Sequence, residues 1–170
     1  MLGPEHPNTA TSLNYLARVL QDQGDLAGAR LLLERALAIT KKVLGSEHFD
    51  TAMARNSLAR VLQNQGDLAG ARPLLERALA SLEKAFGPEH PNTNRTRCNL
   101  ARLLLLIGQP TEALALGETA FAAHDKVRGR DHPWTKDSAR VTADALDALG
   151  RTEETKALRE RYGVTEPEKS

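Results

Sequence analysis

Four histidines in this chain stand beside an acid on a fixed count. Glu5-His6, Glu47-His48, Glu89-His90 and Asp131-His132 recur every 42 residues. An imidazole next to a carboxylate suits acid–base chemistry, and histidines on one spacing suggest a metal site. The spacing argues against both. Equivalent residues in successive helical repeats lie at least one packing step apart, roughly 8–10 Å, whereas zinc takes its nitrogens at about 2.0–2.1 Å. No metal is therefore expected among His6, His48, His90 and His132, and catalysis needs distinct groups in one pocket rather than one dipeptide spread along an array. Proline follows His6, His90 and His132. It suits a first helical turn, where its missing N–H is not needed and polar neighbours can cap free amides. These stretches thus read as helix-to-helix connectors.

The remaining chemical candidates are weaker. Phosphate-loop, HExxH, GxSxG and glycine-rich dinucleotide patterns are absent from the sequence. Cys98 is read as a buried or groove-lining thiol, and His124, off the ruler, as a solvated residue near a helix end. Asn94-Arg95-Thr96 matches a glycosylation acceptor but falls inside an expected helix. Trp134 is expected to pack against the connector before it. The chain is read as a non-enzyme with no cofactor.

The same ruler sets the organisation. Gly24, Gly66, Gly108 and Gly150 share the 42-residue period, which divides the chain into repeats 2–43, 44–85, 86–127 and 128–162, followed by a flexible tail, 163–170. Of 42 positions, 29 are identical between the first two repeats. Each repeat reads as two helices. Leu13, Leu16, Ala17 and Leu20 make one helical stripe; Asp25 is an N-cap candidate for the next helix, whose apolar face holds Ala29, Leu32, Leu33, Ala36, Leu37 and Ile39. Neither helix buries its face alone, so stability must come from stacking neighbours.

Composition agrees. The chain is 41% hydrophobic and 26% charged but only 4% aromatic, which favours aliphatic helices over strands. Lys plus Arg is 23 against 22 acids, so no field favours nucleic acid or an anionic membrane. One cysteine suits a reducing cytoplasm, and no apolar run is long enough to span a membrane. Arg outnumbers Lys 16 to 7, as in GC-rich bacterial genomes. The chain, which starts within a repeat, reads as a piece of a longer bacterial protein.

The pattern Leu16-Ala17, Leu20, Gly24, Leu26, Ala29, Leu33, Ala36-Leu37, recurring from Leu58-Ala59 to Ala78-Leu79, resembles the tetratricopeptide repeat. The 42-residue period, the LGxEHP connector and the "ALAI" helix end resemble its kinesin light chain type, also found in large bacterial signalling proteins. The resemblance implies an all-α fold of about eight helices, a right-handed superhelical array of helical hairpins. Departures carry expectations too. Pro110 and Gly117 should loosen the third repeat, Pro73 should bend its helix, and Thr142, Thr152, Thr155 and Arg159 should make the fourth a polar C-terminal cap. The first repeat has no such cap, so stacking or dimerisation through it is expected.

A polar stripe accompanies the apolar one: Asn14, Arg18 and Gln21; then Asn56, Arg60 and Gln63; then Cys98, Arg102 and Leu105; then Arg140, Asp144 and Asp147. In tetratricopeptide proteins this stripe lines the concave groove, and the resemblance implies that it holds an extended peptide or a partner helix. Asparagine bonds peptide backbone and arginine takes carboxylates bidentately. Asn14, Arg18, Gln21, Asn56, Arg60, Gln63, Arg95, Arg102 and Arg140 are therefore the expected peptide-binding residues, with an acidic protein segment as partner. The expected role is the sensor or scaffold arm of a cytoplasmic signalling protein; the alternative is a structural element that self-assembles end to end.

Overall fold

The computed structural model describes residues 6–165, and within them the chain forms eight helices and no strand. They are α1 (Pro7–Asp22), α2 (Leu26–Leu44), α3 (Phe49–Asn64), α4 (Leu68–Phe86), α5 (Pro91–Leu106), α6 (Pro110–Arg128), α7 (Pro133–Ala148) and α8 (Thr152–Tyr162). The chain divides into two compact units, Met1–Ala85 and Phe86–Ser170.

The histidine ladder turns out to be a set of helix caps. His6, His48, His90 and His132 are themselves the N-cap residues of α1, α3, α5 and α7. Each Nδ1 accepts the backbone N–H two residues on, from Asn8, Asp50, Asn92 and Trp134, at 3.1–3.2 Å. Satisfying an otherwise unpaired helix-start amide is the service that Ser or Asp gives elsewhere. Asp25 and Asp67 do the same for α2 and α4, accepting from Gly28 and Gly70 at 2.8 and 2.9 Å. Between the helices of each hairpin, Gly24, Gly66, Gly108 and Gly150 hold φ of 83°, 80°, 75° and 74°, the left-handed turn that favours glycine.

In the first unit, α1 packs on α2 through Ala10, Leu13, Ala36 and Ile39, and α3 on α4 through Phe49, Ala52, Ala78 and Leu82. Leu16 departs from its expected place in the core. Leu16 and Val19 are 49% and 48% exposed, while their repeat partners Leu58 and Val61 are 6% and 0% exposed. Periodicity defines a face; a neighbour must cover it. Pro73 lies inside α4, which runs unbroken past it.

In the second unit, Pro110 is the first residue of α6, where proline is favourable rather than loosening. At Gly117 the helices close in: a Cβ there would lie 3.0 Å from Thr142 Oγ1 and 3.4 Å from its Cα, so the missing leucine is replaced by close approach of α7. Thr142 and Thr155 are buried, but Thr152 is exposed. Gly163 and Val164, expected in a flexible tail, instead end α8: Gly163 is its left-handed C-cap, and Val164 is buried with Tyr162 and Ala139. Residues 166–170, the end of that tail, and residues 1–5 lie outside the described residues. None of the described helices is long and apolar enough to cross a membrane.

Candidate functional site

The polar stripe exists in both units, but its side chains are engaged differently. In the first unit, α1 carries Asn14, Arg18 and Gln21 on one face, and α3, which touches α1, repeats the pattern with Asn56, Arg60 and Gln63. Arg18 and Arg60 are exposed and make no hydrogen bond or ion pair with any described residue. Asn14 donates from Nδ2 to the Ala10 carbonyl at 2.9 Å, and Gln21 from Nε2 to that of Ala17 at 3.3 Å. Asn14 Oδ1 is buried without a partner. Asn56, expected at the ligand, is buried, and Gln63 is half-buried.

The second unit spends its arginines internally. Arg102, the third rung of the ladder, donates from Nη2 to Asp137 Oδ1 at 2.7 Å, and Arg140 Nη1 lies 3.8 Å from the same oxygen. Cys98 donates its Sγ–H to Asp137 Oδ2 at 3.7 Å. Burial, reinforced by the Asp137 charge, pushes that thiol up to about 12, so it stays protonated. Arg95 lies over the Trp134 ring, 5.2 Å from its centroid, with Arg128 at 4.4 Å. Trp134 also packs edge-on against His132 of the connector, with ring centroids 5.7 Å apart. Asp144, where the ladder would place a fourth arginine, pairs with Arg159 at 3.0 Å. Burial raises the Asp144 carboxyl, and the Arg159 hydrogen bond opposes that rise.

One expectation needs correction. His124 is buried, with Nδ1 3.2 Å from Ser138 Oγ and Nε2 3.2 Å from the Pro91 carbonyl, so it ties α6 to α7 and to the start of α5. Burial lowers its basicity, partly opposed by the Pro91 bond. Its repeat equivalents, Thr40 and Leu82, are buried too, and the 42-residue count could have placed it there. Asn94 is fully buried, its Nδ2 bonded to the carbonyls of Pro88 and His90, which removes it as a glycosylation acceptor. Sequence reasoning also missed Asp137, whose repeat equivalents Thr11, Met53 and Arg95 give no hint of a carboxylate.

Tetratricopeptide repeat models match residues 9–50 and 50–124. A putative kinesin light chain from Podosopora anserina, described as having nearly identical TPR-like repeats, is 34% identical. The match covers 96% of this chain and 77% of that one, with a TM-score of 0.77. This chain is a tetratricopeptide repeat protein of the kinesin light chain type. A second structure of the same Podosopora anserina protein, a point variant, superposes at 0.79 with 33% identity over the same shares. BtubC (BKLC) from P. vanneervenii, 19% identical, shares the fold at a TM-score of 0.81, covering 95% of this chain and 68% of that one. None of the curated proteins matches. Tetratricopeptide repeats serve in general as surfaces for protein–protein interaction.

Proposed function

We propose that the chain is a protein-binding module that takes an extended, acidic peptide segment on the polar stripe of its first helices, with Arg18 and Arg60 as the anion-capturing residues. The observation that carries this reading is that both are exposed and without a partner among the described residues. A free guanidinium offers a planar pair of donors to a carboxylate, and rungs on two touching helices let one strand meet both. Asn14, Gln21 and Gln63 stand beside them for backbone hydrogen bonds, while Asn56 lies deeper and supports the surface. The remaining members of the set, Arg95, Arg102 and Arg140, contribute only if their internal contacts yield. The four repeats act as one array in this reading, with α8 as its cap, forming the sensor or scaffold arm of a larger cytoplasmic, bacterial signalling protein. No catalytic role is part of it.

A fluorescent glutamate-rich peptide tests the reading. Fluorescence anisotropy should show salt-sensitive binding that is lost when Arg18 and Arg60 are both changed to Glu, with helicity by circular dichroism intact. Unchanged binding by that variant would remove the assignment. Self-association is a second reading, resting on exposed Tyr15, Leu16 and Val19 of α1. Light scattering that stays monomeric at high concentration would end it.

A further inference from the structure

The geometry around Asp137 points to an internal pseudo-ligand: we propose that its carboxylate occupies, on Arg102 and Arg140, an anion subsite equivalent to the one that Arg18 and Arg60 offer to a partner. The inference rests on the reading of those two arginines as anion-capturing. Arg102 is the third rung of the same ladder, 42 residues beyond Arg60 and 84 beyond Arg18. A partner's carboxylate would meet it as Asp137 does, with Oδ1 accepting from Arg102 at 2.7 Å and facing Arg140 at 3.8 Å while Oδ2 accepts from the Cys98 thiol at 3.7 Å. The three charged side chains remain 40–44% exposed, so a solution carboxylate can reach the arginines. A half-exposed ion pair of this kind is weak and yields to competition.

Asp137 is peculiar to the fourth repeat, whose equivalents elsewhere are Thr11, Met53 and Arg95. An ordinary structural ion pair would lower stability when broken and leave ligand capture alone. A pseudo-ligand does the opposite to binding: removing it opens a site. It therefore sets specificity, confining a weakly acidic segment to Arg18 and Arg60 and admitting to Arg102 only a segment acidic enough to displace Asp137.

The test is Asp137→Asn, which removes the charge and keeps an oxygen for the Cys98 thiol. Asp137→Thr, the residue of the first repeat, replaces it if the amide variant fails to fold, and Asp137→Glu is the charge-retaining control. With a fluorescent glutamate-rich peptide, Asp137→Asn should bind about three- to five-fold more tightly than the unaltered chain, and adding Arg102→Ala should cancel the gain. In the Arg18→Glu/Arg60→Glu background, Asp137→Asn should restore capture that the background alone lacks. Equal affinity with and without Asp137, while binding still depends on Arg18 and Arg60, overturns the pseudo-ligand and leaves the proposed function standing. Binding that appears only in Asp137→Asn and depends on Arg102 supports the pseudo-ligand and sinks the assignment of Arg18 and Arg60. Absence of capture by every folded variant overturns both.

Discussion

The two halves of this chain carry the same arginine ladder and use it in opposite ways. Arg18 and Arg60 on α1 and α3 stand free among the described residues, while Arg102 on α5 is held by Asp137 from α7. The residue type and register are the same, yet the chemistry on offer differs. What differs is the position 35 residues on, which is Met53 for Arg18 and Arg95 for Arg60 but Asp137 for Arg102. The core diverges at matching positions as well. Leu33 and Leu75 fill the place that the close approach of α7 takes up at Gly117 and Arg159 fills with charge. In a repeat protein, then, the array is set by the positions that repeat, and binding by the few that do not.

The largest expected contrast lies in that core position. Leu75 is fully buried, so Leu75→Ala should cost about 2–5 kcal/mol through the cavity it leaves. Gly117→Leu restores the sequence pattern, yet there is no room beside Thr142, and overpacking should cost about 1–3 kcal/mol. Denaturant melts of both variants decide whether the units solve the same packing problem differently; a neutral or stabilising Gly117→Leu would break the comparison. Next comes Asp144→Ala. It takes the Asp144 carboxylate away from Arg159, whose side chain is only 11% exposed, and a loss of about 1–3 kcal/mol is expected in the same melts.

How much of this was legible follows from what each signal encodes. The 42-residue count gave the hairpins, the Asp25 cap and the ladder, because period and cap chemistry are local. It could not give the exposure of Leu16, since periodicity defines a stripe and says nothing about which neighbour covers it. The histidine caps were hidden because imidazole is not among the usual capping side chains, although the place before proline marked a helix start. Asp137 was beyond reach for a different reason: its partner lies 35 positions away on another helix, a contact that exists only once α5 and α7 are packed. His124, in contrast, was readable and misread, since Leu82 at its repeat position already marked it as core.

His124 also gives the second unit a buried imidazole where the first has Thr40 and Leu82. Burial lowers the basicity of the His124 ring in the folded chain. The unfolded chain, with an ordinary imidazole near pH ~6.5, binds the proton first. The stability from the neutral ring is therefore complete above about pH 6.5 and falls as pH drops below it. Trp134, the single tryptophan, has its ring 5.9 Å from that of His124 and reports on the second unit by fluorescence. Thermal melts followed at Trp134 should lose midpoint temperature between neutral and mildly acidic pH, and His124→Leu should flatten that dependence. An unchanged slope would assign the response to other groups.

The smallest effect isolates the ladder itself. Arg60→Ala removes a free, exposed cation and should change stability by less than about 0.5 kcal/mol at any salt concentration. Arg102→Ala breaks the contact with Asp137, and at low salt it should cost about 0.2–1 kcal/mol, the range of exposed ion pairs. Added salt screens the pair and should shrink that cost toward the Arg60 value. The decisive quantity is thus the difference between the two variants as a function of ionic strength. If Arg60→Ala shows the same salt-dependent loss as Arg102→Ala, then Arg60 has a carboxylate partner in solution, and the distinction between an open rung and an occupied one does not hold.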